Sequence, residues 1–118
     1  MIKLYGFEFA GPLPLDVRNL AVVPVGGFGV YSLGRRTGNL FAPGYFGRSD
    51  TCLKTRIGKH VRAGGHPHFC FRPLASLWEA YSHECKLVHA FWDAFPLTNK
   101  NHPAKPVGMS WTCPVCGQ

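Results

Sequence analysis

The stretch from Gly29 to His60, GVYSLGRRTGNLFAPGYFGRSDTCLKTRIGKH, decides how the rest of the chain reads. Two segments rich in aromatic and β-branched residues, Phe28 to Leu33 and Gly44 to Gly47, read as strands bounded by glycine. Between them, Arg35-Arg36-Thr37-Gly38 reads as a hairpin-like turn with two exposed cations. Ala42-Pro43-Gly44 reads as a bulge or loop, because proline cannot donate to a central ladder. After the second strand, Asp50 or Thr51 is placed to cap a helix, since either side chain can accept from its unpaired first-turn amides. Leu53, Ile57 and Val61 recur at helical spacing and face the core, and Gly64-Gly65 ends the helix. Arg56 and His60 lie four positions apart on a neighbouring face, so they can address one site together.

Toward the C-terminus, His68 to Phe71 reads as a third strand that Pro73 ends. Ser76-Leu-Trp-Glu79 matches a capping box. From there Leu77, Ala80, Tyr81, Glu84, Leu87, Val88 and Phe91 trace one stripe down a second helix. Glu84 interrupts that stripe. A buried carboxylate without a partner costs several kcal/mol or takes up a proton, so its position calls for a compensating cation. Either an arginine, which Arg56 could supply, or a divalent metal would serve. Toward the N-terminus, residues 1–27 alternate apolar segments with turn formers such as Gly11-Pro12 and Pro14, and Gly26-Gly27 marks a break. They read as an extension packed on the domain formed by residues 28–118.

A chain of 118 residues suits one domain with a single modest core. Lys and Arg outnumber Asp and Glu by 13 to 6, and the resulting +7 charge favours a polyanionic partner such as nucleic acid. The apolar run from Leu20 to Val30 is broken by Pro24 and glycines and is too short to span a bilayer. The first residues lack the uninterrupted apolar segment of a secretory signal, so a cytoplasmic protein without membrane contact is expected.

Five cysteines, an odd number, argue against a disulfide framework and toward thiols or metal. Cys113-Pro-Val-Cys116 is a half-site for tetrahedral zinc. Cys85 and His89 leave one face of the second helix together, and with the C-terminal pair they make a Cys3His site that pins the tail. His102 is the main alternative ligand, with Cys70 and His83 behind it. The cluster of His66, His68 and Cys70 reads instead as a turn entering a strand, with its histidines exposed.

Taken in order, GVY at 29–31, YFG at 45–47, Arg56 and His60 on one helix, Glu84 on the next and Asn99 in the following loop resemble the GIY-YIG nuclease family. The resemblance implies that Tyr31 and Tyr45 orient or deprotonate the attacking water and that Arg56 binds phosphate. It makes His60 an orienting or acid-base group and Glu84 the ligand of a magnesium or manganese ion. Asn99 matches the family's late asparagine, with Asn101 as its rival. Gly29 and Gly47 match the two signature glycines, where backbone or substrate comes close. Arg48 falls where it would touch phosphate, and Arg35 and Arg36 join it as substrate-facing cations. YFG stands for YIG, and the gap between the two tyrosines is slightly long for the family. Neither departure removes a functional side chain.

The expected fold is therefore α/β, more closely α+β: a small three-stranded, mostly antiparallel sheet flanked by helices, with a zinc-pinned tail. The expected function is a divalent-metal-dependent endonuclease acting on DNA. The alternatives are a non-catalytic, zinc-stabilised nucleic-acid-binding module and an accessory subunit of a nuclease or repair assembly. With so little chain outside the core, sequence-specific targeting calls for a homodimer or a larger repair or restriction assembly.

Overall fold

Two tight turns organise the sheet. Tyr5 and Gly6 both adopt positive φ (52° and 82°), the geometry of a type I′ hairpin, and join β1 (Ile2–Leu4) to β2 (Phe7–Pro14). Gly38, at φ 62°, opens the second two-residue turn, between β3 (Phe28–Thr37) and β4 (Leu40–Ser49). In the computed structural model, which describes residues 1–118, these strands and β5 (His68–Leu74) form one antiparallel sheet in the order β1-β2-β5-β3-β4. A short 3₁₀ turn at Arg18–Val22 crosses between β2 and β3.

The sheet thus has five strands where three were expected. Residues 1–27 do more than pack on the domain, because β2 pairs directly with β5 and extends the sheet by a hairpin. The polar and proline-bearing sequence there, FEFAGPLP, hides its alternation, and the pairing register shifts between Ala10 and Leu13. Similarly, β3 and β4 run on past Leu33 and begin before Gly44, so Arg35 and Arg36 belong to the strand and not to the turn. Pro43 is tolerated because β4 is an edge strand, and the extra residue at Gly44 makes the expected bulge between the Leu33 and Gly34 pairs.

The helices α1 (Leu53–Ala63) and α2 (Leu77–Phe91) cover opposite faces of the sheet. Alternation along β3 sends Tyr31 and Leu33 toward α1, where they meet Leu53, Ile57, Phe69 and Phe71. Val30 points the other way, to Phe46, Cys70, Leu87 and Val88 under α2. Gly29 lets α1 come this close, since a Cβ there would sit 2.9 Å from Leu53 Cδ2 and from the Arg72 carbonyl. Its service is to helix packing. The serine half of the capping box is present, with the Glu79 amide donating to Ser76 Oγ at 3.1 Å, while the Glu79 carboxylate meets the Ser76 hydroxyl and not its amide. At α1, however, the N-cap is Cys52 and not Asp50 or Thr51, because Asp50 is turned away by an ion pair to Arg48. No helix is long and apolar enough to cross a membrane.

Candidate active site and metal centre

The free edge of β4 is where the two faces of the sheet meet. A cleft of about 310 Å³ opens there, lined by Tyr45 and Arg48 from β4, Arg56 from α1, Glu84 from α2 and the segment Thr98–Ala104. Tyr45 and Arg48 reach opposite faces of one strand, and the loop after α2 folds over the edge to close the far wall.

Beneath Tyr45, the fully buried Tyr31 places its hydroxyl 2.7 Å from His60 Nε2, and the Tyr45 ring lies 5.1 Å from the imidazole. Gly47 makes this possible, because a Cβ there would overlap the Tyr31 phenol. Burial, reinforced by Tyr45 alongside, raises the Tyr31 phenol above its usual range, and Arg56 only partly offsets this. Burial and then Arg56 lower the pKa of the His60 imidazole. At neutral pH both groups are therefore uncharged, and the Tyr31 hydroxyl and His60 Nε2 share one hydrogen bond. Tyr31 and His60 form a closed pair, while Tyr45 is the phenol that faces the cleft.

Glu84 finds its compensating cation in Arg48, not Arg56: Arg48 Nη1 donates to Glu84 Oε1 at 2.9 Å, and the two side chains are only 10% and 12% exposed. Arg48 is also forked onto Asp50, at 2.6 and 3.2 Å, and donates to the Ala104 carbonyl at 2.7 Å. These four bonds leave it little to offer a phosphate, so its expected substrate role gives way to holding Glu84 and the cleft wall. The ion pair acts unequally on its partners. Burial opposes the charge on Arg48, but Asp50 and Glu84 outweigh it and raise the pKa. Glu84 must share that one cation, so burial wins and carries its carboxyl from 4.5 to about 7.

A stability prediction follows from that shift. Folded Glu84 holds its proton more tightly than the unfolded chain does, so its contribution is fully present below the unfolded value of 4.5 and is lost as pH rises toward about 7. Glu84→Gln keeps the shape without the titration. Between pH 4.5 and 7.5, in metal-free buffer, the urea-derived stability of the variant should gain on wild type by roughly 2–3 kcal/mol. Parallel curves would show that Glu84 titrates normally.

Asn99 does line the cleft, but its amide is spent on the sheet edge. Its Oδ1 accepts from the Phe46 amide at 3.0 Å and its Nδ2 donates to the Phe46 carbonyl at 2.8 Å, as a sixth strand would. Asn101 lines the same cleft without these ties. Asn99 therefore positions the wall, and Asn99→Ala should cost about 1–3 kcal/mol by stranding two backbone groups of a buried residue. Chemical denaturation measures it. Arg35 and Arg36 do not join the cleft. Arg36 Nε donates to the Gly38 carbonyl, and Arg35 borders a separate hollow with His66 and Phe95. His66 and His68 are half-buried instead of exposed, and His68 Nδ1 accepts from the Arg36 amide at 3.2 Å.

A second cluster adjoins the cleft. One ligand-type atom each from His89, His102, Cys113 and Cys116 lies within 4.8 Å of all the others, and this His2Cys2 group could hold a metal such as zinc. With Zn–S about 2.3 Å and Zn–N about 2.0 Å, adjacent ligand atoms of a tetrahedral site sit about 3.5 Å apart. Cys116 Sγ and His102 Nε2 are 3.4 Å apart. His102 Nδ1 lies 3.0 Å from the Pro103 carbonyl, an arrangement that leaves Nε2 as the unprotonated, ligating nitrogen. His89 Nε2 is buried with no hydrogen-bond partner. Burial opposes ionisation of Cys113, but the amides of Cys116 and Val115 and the His102 ring outweigh it and take the thiol down to about 6.

Cys85, expected as a ligand, lies outside this group of four, and His102, the alternative, lies within it. Cys85 is fully buried against Tyr81 and Cys113, one helical turn away from His89 but facing the core. Both candidates were compatible with the spacing, and only the path of the loop brings His102 in. Cys70 is buried in the sheet, and His83 stacks on Phe7 with ring centroids 4.1 Å apart. Neither approaches the cluster. The residues that sequence reasoning missed are Thr98, Lys100, Pro103 and Ala104, which line the cleft. No pattern marks a wall built from an irregular loop. No family model matches this chain, and no curated protein or solved structure matches it significantly.

Proposed function

We propose that this protein is a divalent-metal-dependent nuclease of GIY-YIG type that hydrolyses phosphodiester bonds in DNA. The observation that carries the reading is the convergence of Tyr45, Arg56 and Glu84 on one polar cleft, with the Tyr31–His60 pair directly beneath. A hydrolytic site needs an oriented water, charge compensation for the phosphoryl oxygens and help for the leaving oxygen.

Arg56 is exposed and forms no ion pair; it touches the Tyr31 phenol, and its remaining guanidinium donors can meet a phosphate. Tyr45 presents its hydroxyl to the space where a water would sit. Tyr31 and His60 hold the floor under it and exclude bulk solvent. The carboxylate of Glu84 has one oxygen on Arg48, while the other has no hydrogen bond. That donor set fits magnesium or manganese, which is commonly held by one or two carboxylates, waters and substrate phosphate. When bound, such an ion supplies Lewis-acid stabilisation of the phosphoryl and leaving oxygens. The +7 net charge supports a polyanionic substrate.

The Arg48–Glu84 ion pair favours a second reading, in which the cleft binds nucleic acid without cutting it. Incubation of the purified chain with linear, supercoiled and branched DNA, with magnesium or manganese, decides between them. Cleavage that Glu84→Gln abolishes supports the nuclease. Retention of DNA without cleavage by the wild-type protein supports the binding module.

A further inference from the structure

The wall of the cleft and the metal cluster share a residue. His102 lies in the segment Asn99–Ala104 that closes the cleft, and it is also one of the four clustered ligand residues. The other three come from elsewhere: His89 from α2, one turn beyond Glu84, and Cys113 and Cys116 from the tail. Just past His102, the Ala104 carbonyl accepts from the same Arg48 nitrogen that grips Glu84. The position of the wall and the state of the carboxylate are thus tied through one guanidinium group.

Little else holds that wall. From Lys100 onward it has no regular secondary structure, and Lys100, Asn101 and Ala104 are exposed, with only Pro103 buried. The bonds of Thr98 and Asn99 to β4 anchor its upstream end, and beyond them the Ala104 carbonyl makes the one hydrogen bond to the sheet. A Cys–His zinc site contributes about ten times as much as a single backbone hydrogen bond. Any metal in the cluster therefore dominates where residues 100–105 sit.

We propose that zinc held by His89, His102, Cys113 and Cys116 is a lock on the cleft: it draws the wall against α2, keeps Ala104 on Arg48, and so sets the site in which Arg56 and Glu84 act. This rests on the nuclease reading for its catalytic consequence, but not for the lock itself. The metal is a positioning cofactor of the reaction and not only a staple for the tail. Loss of zinc frees residues 100–105 and leaves the sheet intact.

The test is backbone amide relaxation by NMR on the full chain, with zinc bound and after removal by a chelator selective for zinc over magnesium, together with amide exchange in β3 and β5 and kcat in excess magnesium. The order parameters of residues 100–102, 104 and 105 should stay near about 0.85 with zinc and fall below about 0.6 without it, while β3 and β5 keep their exchange protection and kcat falls at least tenfold until zinc is restored. His102→Ala should reproduce the low order parameters in the presence of zinc. Unchanged order parameters in this segment, failure to bind zinc, or loss of protection throughout β3 and β5 would each overturn the lock, the last because the metal would then hold the whole domain. Zinc-dependent order in the segment with no cleavage in either state would support the lock and sink the nuclease reading instead.

Discussion

Arg56→Ala should lower the rate of DNA cleavage by about 10³-fold, the loss seen when one preorganised donor to a developing oxyanion is removed. The side chain is exposed and carries no salt bridge, so its removal should leave thermal stability within about 0.5 kcal/mol of wild type. Arg56→Lys separates charge from shape. A lysine keeps the cation but cannot form the forked pair with a phosphate, so it should restore part of the rate and not all of it. The measurement is single-turnover cleavage with magnesium. An alanine variant that cuts at the wild-type rate would remove Arg56 from the site. Arg48→Ala, by contrast, should reduce both stability and rate, since it strands Glu84, Asp50 and the Ala104 carbonyl together.

The second large effect is on stability. Cys113→Ser should release the metal from the His2Cys2 cluster and lower the melting temperature by about 10 °C or more. A ligand present at a thousand times its dissociation constant stabilises the folded state by about 4 kcal/mol. In a domain of this size each kcal/mol is worth a few degrees. Metal analysis supplies the control that distinguishes the ligands. His102→Ala should abolish bound zinc, whereas Cys85→Ala should retain it, because Cys85 packs between Tyr81 and Cys113 outside the group of four. Retention of zinc by His102→Ala and loss by Cys85→Ala would reverse the assignment.

The errors made from sequence share a cause. By resemblance Arg48 was expected to touch phosphate and Asn99 to match the family's late asparagine; both line the cleft, but both are bonded to partners remote in the chain: Phe46 for Asn99, Glu84 and Ala104 for Arg48. An arginine beside a strand signature carries no local mark of whether a carboxylate on a later helix will claim it. The hairpin from Ile2 to Pro14 was overlooked for a related reason. Its alternation is interrupted by Gly11 and Pro12, so its strand character depends on pairing with β1 and β5 more than on its own residues.

Periodicity and turn chemistry were enough to determine the central order of strand, strand, helix, strand, helix from Phe28 to Phe91, the helix cap at Ser76 and the need of Glu84 for a cation. These are local properties, set by residues within a few positions of one another. Which cation answers Glu84, which of two candidates completes the metal cluster, and whether residues 1–14 belong to the sheet were decided only in three dimensions. Each depends on where an irregular loop or an edge strand comes to rest. That is settled by the summed packing and hydrogen bonding of the whole chain, which no short window of sequence contains.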